Sequence, residues 1–127
     1  MRLLVLDDSP LLAWTVARLS PAGTVVTGAR SLDEAIRLLE EAAPDAVVVS
    51  VPPATLPWPG FQQLCASRHP PVPVLYLSCL FESTTEAGFD PKAGRLELLR
   101  KPVEKVEFEA ALGRLFAAAR EARSGIG

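Results

Sequence analysis

The sequence predicts an α/β domain in which a five-stranded parallel sheet is covered on both faces by five helices. Three observations carry this. Short apolar runs alternate with helix-like segments along the whole chain. Those runs are continuous rather than alternating, as in strands buried on both faces. The length of 127 residues fits one domain with a core large enough to need no metal or disulfide staples.

The first strand is expected over residues 3–6, an unbroken Leu-Leu-Val-Leu run. Ser9-Pro10 then opens a helix, with Ser9 as N-cap and Pro10 at the first helical position, and Pro21 stops it after Leu19. Residues 24–27 form a short β-branched second strand. Ser31-Leu-Asp-Glu34 is a capping box leading a helix with Ala35, Leu38, Leu39 and Ala42 on one face, ended by Pro44. Residues 46–51 are the third and most β-branched strand. A Pro-rich loop and a short helix over 60–67 follow, and then the fourth strand over 72–78.

Ser83-Thr-Thr-Glu86 resembles a second capping box, but Gly88 and Pro91 leave the fourth helix short or broken. The fifth strand spans 96–100. The last helix runs from after Pro102 to about Arg123, with Val106, Phe108, Leu112, Leu115, Phe116 and Ala119 inward and Gly113 at a close contact. The domain thus occupies 1–123, and 124–127 form a tail or the start of a linker.

Composition narrows the function classes. Apolar residues make up 49% and charged residues 22%, and the net charge is −2, so no basic surplus supports nucleic-acid binding. One histidine and two cysteines, Cys65 and Cys79, cannot build a zinc site at the usual spacings, and the thiols read as a buried pair in a reducing compartment. Asp7 and Asp8 interrupt the apolar start before it reaches signal-peptide length. The uncharged stretch 46–67 holds four prolines and cannot span a membrane. The expectation is a compact, mildly acidic cytoplasmic domain with neither a nucleic-acid nor a membrane partner.

Parallel sheets of this kind place their functional crevice at the carboxyl ends of the strands. Asp7, Asp8, Ser50, Ser78 and Lys101 each stand just past or at such an end. The turn after the first strand contains no glycine, which argues against a nucleotide-binding α/β protein.

These segments resemble the receiver domain of two-component response regulators over essentially the whole chain. Leu-Val-Leu-Asp7-Asp8-Ser is similar to the family's acidic pair, and Pro44-Asp-Ala-Val-Val-Val-Ser50 to the lead into its phospho-accepting aspartate. Leu75-Tyr-Leu-Ser78-Cys79 is similar to the segment ending in the switch Ser/Thr, and Leu99-Arg100-Lys101-Pro102 to the stretch ending in the Lys-Pro pair. The resemblance implies a flavodoxin-like fold with strand order 2-1-3-4-5. It also implies a signalling role in which the acidic pair and the acceptor hold Mg²⁺ while the acceptor carboxylate forms an acyl phosphate. Ser78 and Lys101 would then bind the phosphoryl oxygens.

The chain departs from that pattern at its centre, because Ser50 stands where the acceptor aspartate belongs and no Asp or Glu occurs between Asp45 and Glu82. A serine hydroxyl without a base is a poor nucleophile, and its presence removes one of three metal-binding carboxylates. Asp7, Asp8, Ser78 and Lys101 are therefore expected to form a relic pocket binding Mg²⁺ weakly at most, with no other cofactor. Leu98 occupies the usually aromatic switch position. The Pro-rich loop is longer than the family norm, and only Arg68 is charged between residues 46 and 81. That depletion suggests a partner surface formed by Leu56, Trp58, Phe61, Gln62 and Cys65. The expected function is a phosphorylation-independent protein-interaction module, with no enzymatic activity, whose partner is another signalling protein. The alternatives are phosphorylation at a non-standard residue and a structural homodimerisation domain.

Overall fold

The computed structural model describes residues 1–7, 9–50, 58–68, 71–78, 96–100 and 103–124. The elements in chain order are β1 (Arg2–Leu6), α1 (Leu11–Leu19), β2 (Val25–Ala29), α2 (Leu32–Glu41), β3 (Ala46–Val49), α3 (Trp58–Ala66), β4 (Val74–Ser78), β5 (Leu96–Arg100) and α4 (Lys105–Ser124). All five strands pair in parallel in the order β2-β1-β3-β4-β5. The expected sheet and strand order are therefore present. The segment expected to carry the short fourth helix lies outside the described residues.

Why the central strands read as unbroken apolar runs is evident in the packing. Leu4, Leu6, Val47, Val49, Val74 and Tyr76 point to one face, against Ala35 and Leu39 of α2 and Phe61 and Cys65 of α3. Leu3, Val5, Ala46, Val48, Leu75 and Leu77 point to the other, against Val16 of α1 and Phe108, Leu112, Leu115 and Phe116 of α4. Burying each such Val or Leu contributes roughly 1.5–3 kcal/mol, so the two faces together supply the main driving force for folding.

Local chemistry sets the boundaries. Pro10 takes the N-cap position of α1 with helical dihedrals (φ −72°, ψ −9°), one residue later than the Ser9 cap expected, and the Leu11 N–H donates to Ser9 Oγ at 3.3 Å from just before the helix. Ser31 caps α2 by accepting from the Glu34 N–H at 3.2 Å. Glu34 itself reaches back to the Arg30 N–H at 3.5 Å, one residue before the position a full capping box would use. β4 begins at Val74 rather than at residue 72, since Pro73 has no N–H to give to the ladder.

Two expectations about α4 are corrected. Val106 is 77% exposed rather than inward, while Phe108, Leu112, Leu115, Phe116 and Ala119 are buried as expected. Val106 lies on the same side of the helix as the exposed Ala110, Gly113 and Ala117, turned away from the face that carries Phe108, Leu112 and Leu115. Gly113 marks no close contact either, because a Cβ built there meets no atom within 4 Å.

Phe61 and Cys65 are likewise not surface residues: they are 3% and 0% exposed and belong to the core. The helical period of α3 turns them toward β3 and β4, so neither is available to a partner. Burial pushes the Cys65 thiol up to about 12, outweighing the opposing effect of Arg68. An unfolded thiol releases its proton near 9.0 while the folded one holds it, so Cys65 costs stability as pH rises from 9 toward 12.

Gly113→Ala should stabilise the fold by about 0.5–1 kcal/mol through helix propensity alone. Ala43, with φ 45° just past α2, is held in the left-handed region, so Ala43→Gly should relieve about 1 kcal/mol of strain. Both should raise the urea midpoint with the slope unchanged. In a Cys79→Ser background, Cys65 should resist a thiol reagent at pH 8 until denaturant is added. Cys65→Ala should also flatten the loss of stability above pH 9; an equally steep loss would show that the thiol does not govern it.

Candidate functional site

The strand register brings the predicted residues to one end of the sheet. Leu6 of β1 is level with Val49 of β3, so Asp7 and Ser50, the next residues of each, leave the sheet side by side. Backbone hydrogen bonds fix both: the Ser50 N–H donates to Leu6 O at 2.9 Å, and the Asp7 N–H donates to Ala29 O at 3.0 Å. Asp7 is half-buried. Ser50 is 8% exposed and is the one buried polar residue among those described.

Val49 is also level with Tyr76 of β4, and Tyr76 with Leu98 of β5. Ser78 ends β4 two residues beyond Tyr76 and is level with Arg100, the last residue of β5. Asp7, Ser50 and Ser78 thus share the carboxyl edge. Asp8 and Lys101 lie outside the described residues, adjacent in sequence to Asp7 and Arg100.

Asp45 is ruled out as a substitute acceptor. It sits at the amino end of β3, where its Oδ2 accepts from the Arg2 N–H at 2.7 Å. That interaction ties it to the far edge of the sheet. Leu98, at the expected switch position, is half-buried and packs against the core on the Phe61 side. An aliphatic side chain there packs without a hydroxyl or ring to re-partner.

Mg²⁺ demands several oxygen ligands, at least one or two of them charged, and it gives up its waters reluctantly. Here β3 delivers to the carboxyl edge a nearly buried, uncharged hydroxyl, so the charge that would offset dehydration is reduced at the best-placed position.

Of the remaining predicted residues, Leu56 lies outside the described residues, and Trp58 and Gln62 are placed only as positions on α3. With Phe61 and Cys65 in the core, α3 faces the sheet with its apolar side. One feature with no motif behind it is the exposed Trp14 on α1, 66% accessible, whose only signal in the sequence is its i, i+3 spacing from the exposed Leu11.

No protein-family model matches the chain. The chain is 33% identical over 125 residues to the protein-glutamate methylesterase/protein-glutamine glutaminase 4 of Myxococcus xanthus. That match covers 91% of this chain but only 34% of the methylesterase. Among solved structures, the chemotaxis response regulator CheY4 of Vibrio cholerae is similar with a TM-score of 0.71 and 21% identity, covering 90% of this chain and 97% of CheY4. The response regulator domain of Thermotoga maritima CheB is similar with a TM-score of 0.66 and 24% identity, covering 98% and 96% of the two chains. The strand order, the parallel register and these likenesses agree: the chain has the flavodoxin-like fold of response-regulator receiver domains.

Proposed function

We propose that this chain is a receiver-type signalling domain that works without phosphorylation, as a protein-interaction module. One observation carries the reading: the residue delivered to the carboxyl end of β3, beside Asp7, is Ser50. In the receiver resemblance that position performs the chemistry. The curated relative and the CheB domain support the same placement in signalling. The methylesterase activity named for the relative belongs to a protein about three times as long, and no catalysis is proposed for this chain.

The physical consequence concerns switching. Taking a two-state domain from 1:99 to 99:1 requires about 5.5 kcal/mol of differential binding. In a receiver the phosphoryl group supplies those contacts. Without it the domain rests in one arrangement, and a partner reads that arrangement constitutively. The partner surface we propose is the loop and helix start carrying Leu56 and Trp58, in the charge-poor stretch between residues 46 and 67. Prolines in that loop limit the entropy lost on binding.

Two measurements test this. Incubation with acetyl phosphate and Mg²⁺ should leave the intact mass of the wild type unchanged, whereas Ser50→Asp should bind Mg²⁺ more tightly by calorimetry. A phosphoryl adduct on the wild type at the strand-end pocket would overturn the phosphorylation-independent reading. No gain in Mg²⁺ affinity would show that position 50 and Asp7 do not share a pocket. Separately, Trp58→Ala should weaken a captured signalling partner by at least about 1 kcal/mol with little change in Tm. A large fall in Tm would instead make Trp58 part of the core and remove the surface.

A further inference from the structure

The two edges of the sheet are built differently. β5 presents Glu97, whose carboxylate takes two hydrogen bonds from the Arg114 guanidinium of α4, with Nε to Oε1 at 2.9 Å. Charge on an edge strand discourages another strand from pairing there. β2, at the opposite edge, is Val-Val-Thr-Gly-Ala, without charge or proline, and its Val25 is 57% exposed.

Its hydrogen-bonding groups can be assigned from the ladder. The Val25 N–H donates to Met1 O at 2.9 Å, and Ala29 O accepts from Asp7 at 3.0 Å, so Val25, Thr27 and Ala29 bond inward to β1. By the alternation of a parallel ladder, the N–H and C=O groups of Val26 and Gly28 point outward. Along this edge runs a groove of about 360 Å³, lined by Val26, Gly28 and Arg30 below and by Ala13, Trp14 and Ala17 of α1 above. Strand edge and groove together have the form of a strand-addition site: alternating backbone groups for hydrogen bonds, and space above them for every second side chain.

We infer that β2 pairs antiparallel with β2 of a second copy of this chain, joining two sheets across a twofold axis at Thr27. The occupant is specified by the pattern. With Thr27 on the axis, Val26 of one copy stands opposite Gly28 of the other, and both are outward-facing residues, so each pair exchanges two hydrogen bonds. Gly28 has no side chain, and the groove above it is open to the Val26 isopropyl group of the second copy. A Cβ built on Gly28 would lie 3.7 Å from the Ala13 Cβ, an ordinary contact, which places Ala13 of α1 beside this position. On the other face the two Thr27 side chains form a cross-strand pair, a favourable combination. The axis is perpendicular to the sheet and keeps both α1 helices on the same face, so the two exposed Trp14 indoles flank the junction. No charged residue lies within β2, so no like charges meet between its five residues and those of the second copy.

Sedimentation equilibrium of the 127-residue chain should show a monomer–dimer equilibrium that stops at two. Val25→Lys, which places a charge on the edge while sparing the core, should weaken it at least about tenfold. Val106→Lys, at the exposed start of α4, should leave it unchanged. The register has its own test. Thr27 opposes itself in a non-hydrogen-bonded pair with Cα atoms about 4.5 Å apart, within disulfide range. Thr27→Cys in a Cys79→Ser background should therefore cross-link into covalent dimers under mild oxidation far faster than Thr15→Cys in the same background. A chain that remains monomeric at millimolar concentration overturns the inference, as does a dimer dissolved by Val106→Lys but not by Val25→Lys. Equal cross-linking at positions 27 and 15 overturns the pairing at Thr27.

Discussion

The polar residues at the strand ends are arranged around one constraint: β1, β3 and β4 are covered on both faces, so their side chains have no aqueous side. A charged group within Leu3–Leu6 or Ala46–Val49 would have to be paired inside the core or be neutralised there, at a cost of several kcal/mol. Chemistry is therefore displaced to the ends of the strands. The parallel register makes those ends useful, since it delivers Asp7 and Ser50 to the same edge, with Ser78 on the strand alongside. Hydrogen bonds from Ser50 to Leu6 and from Asp7 to Ala29 continue the ladders one step past the strands and hold both residues at the rim.

The same constraint explains how much of the molecule was legible in the sequence. Two-face burial leaves a direct trace in the unbroken apolar runs of β1, β3 and β4, and the alternation of short apolar segments with helix signals placed the edge strands β2 and β5 and the parallel arrangement. The carboxyl-edge residues followed once the strands were placed, because chain position alone puts Asp7 and Ser50 there. Helix faces were less legible. Val106 stands two residues before Phe108, about 200° around the helix from it, so its apolar character was mistaken for a place on the buried face. Phe61 and Cys65 were misjudged for a related reason. Charge depletion marks an interface and a buried helix face equally, and only the packing of α3 against β3 and β4 distinguishes them.

The β2 edge was not legible for a different reason. Val-Val-Thr-Gly-Ala reads as an ordinary strand, and its position at the edge is a property of strand order. An edge becomes informative only by comparison with its opposite number. In β5 the Glu97–Arg114 pair occupies the edge-proximal surface and holds the Arg114 guanidinium more firmly protonated than usual. Being exposed, that pair adds little to stability. What it supplies is a charged rim, which β2 lacks.

The serine at the end of β3 also has an electrostatic consequence. A carboxylate at a position only 8% exposed, next to Asp7 and close in sequence space to Asp8, would face like charge with little water to screen it. Receivers resolve that conflict with a metal ion and a lysine. On the proposed reading, in which no acyl phosphate forms, absence of the third acid lowers the like charge in the resting pocket. The hydroxyl keeps the site polar and small. On this view the substitution at 50 and a constitutive binding surface are two aspects of one change. Once the phosphoryl group no longer selects between conformations, stability of a single conformation becomes the quantity on which recognition depends.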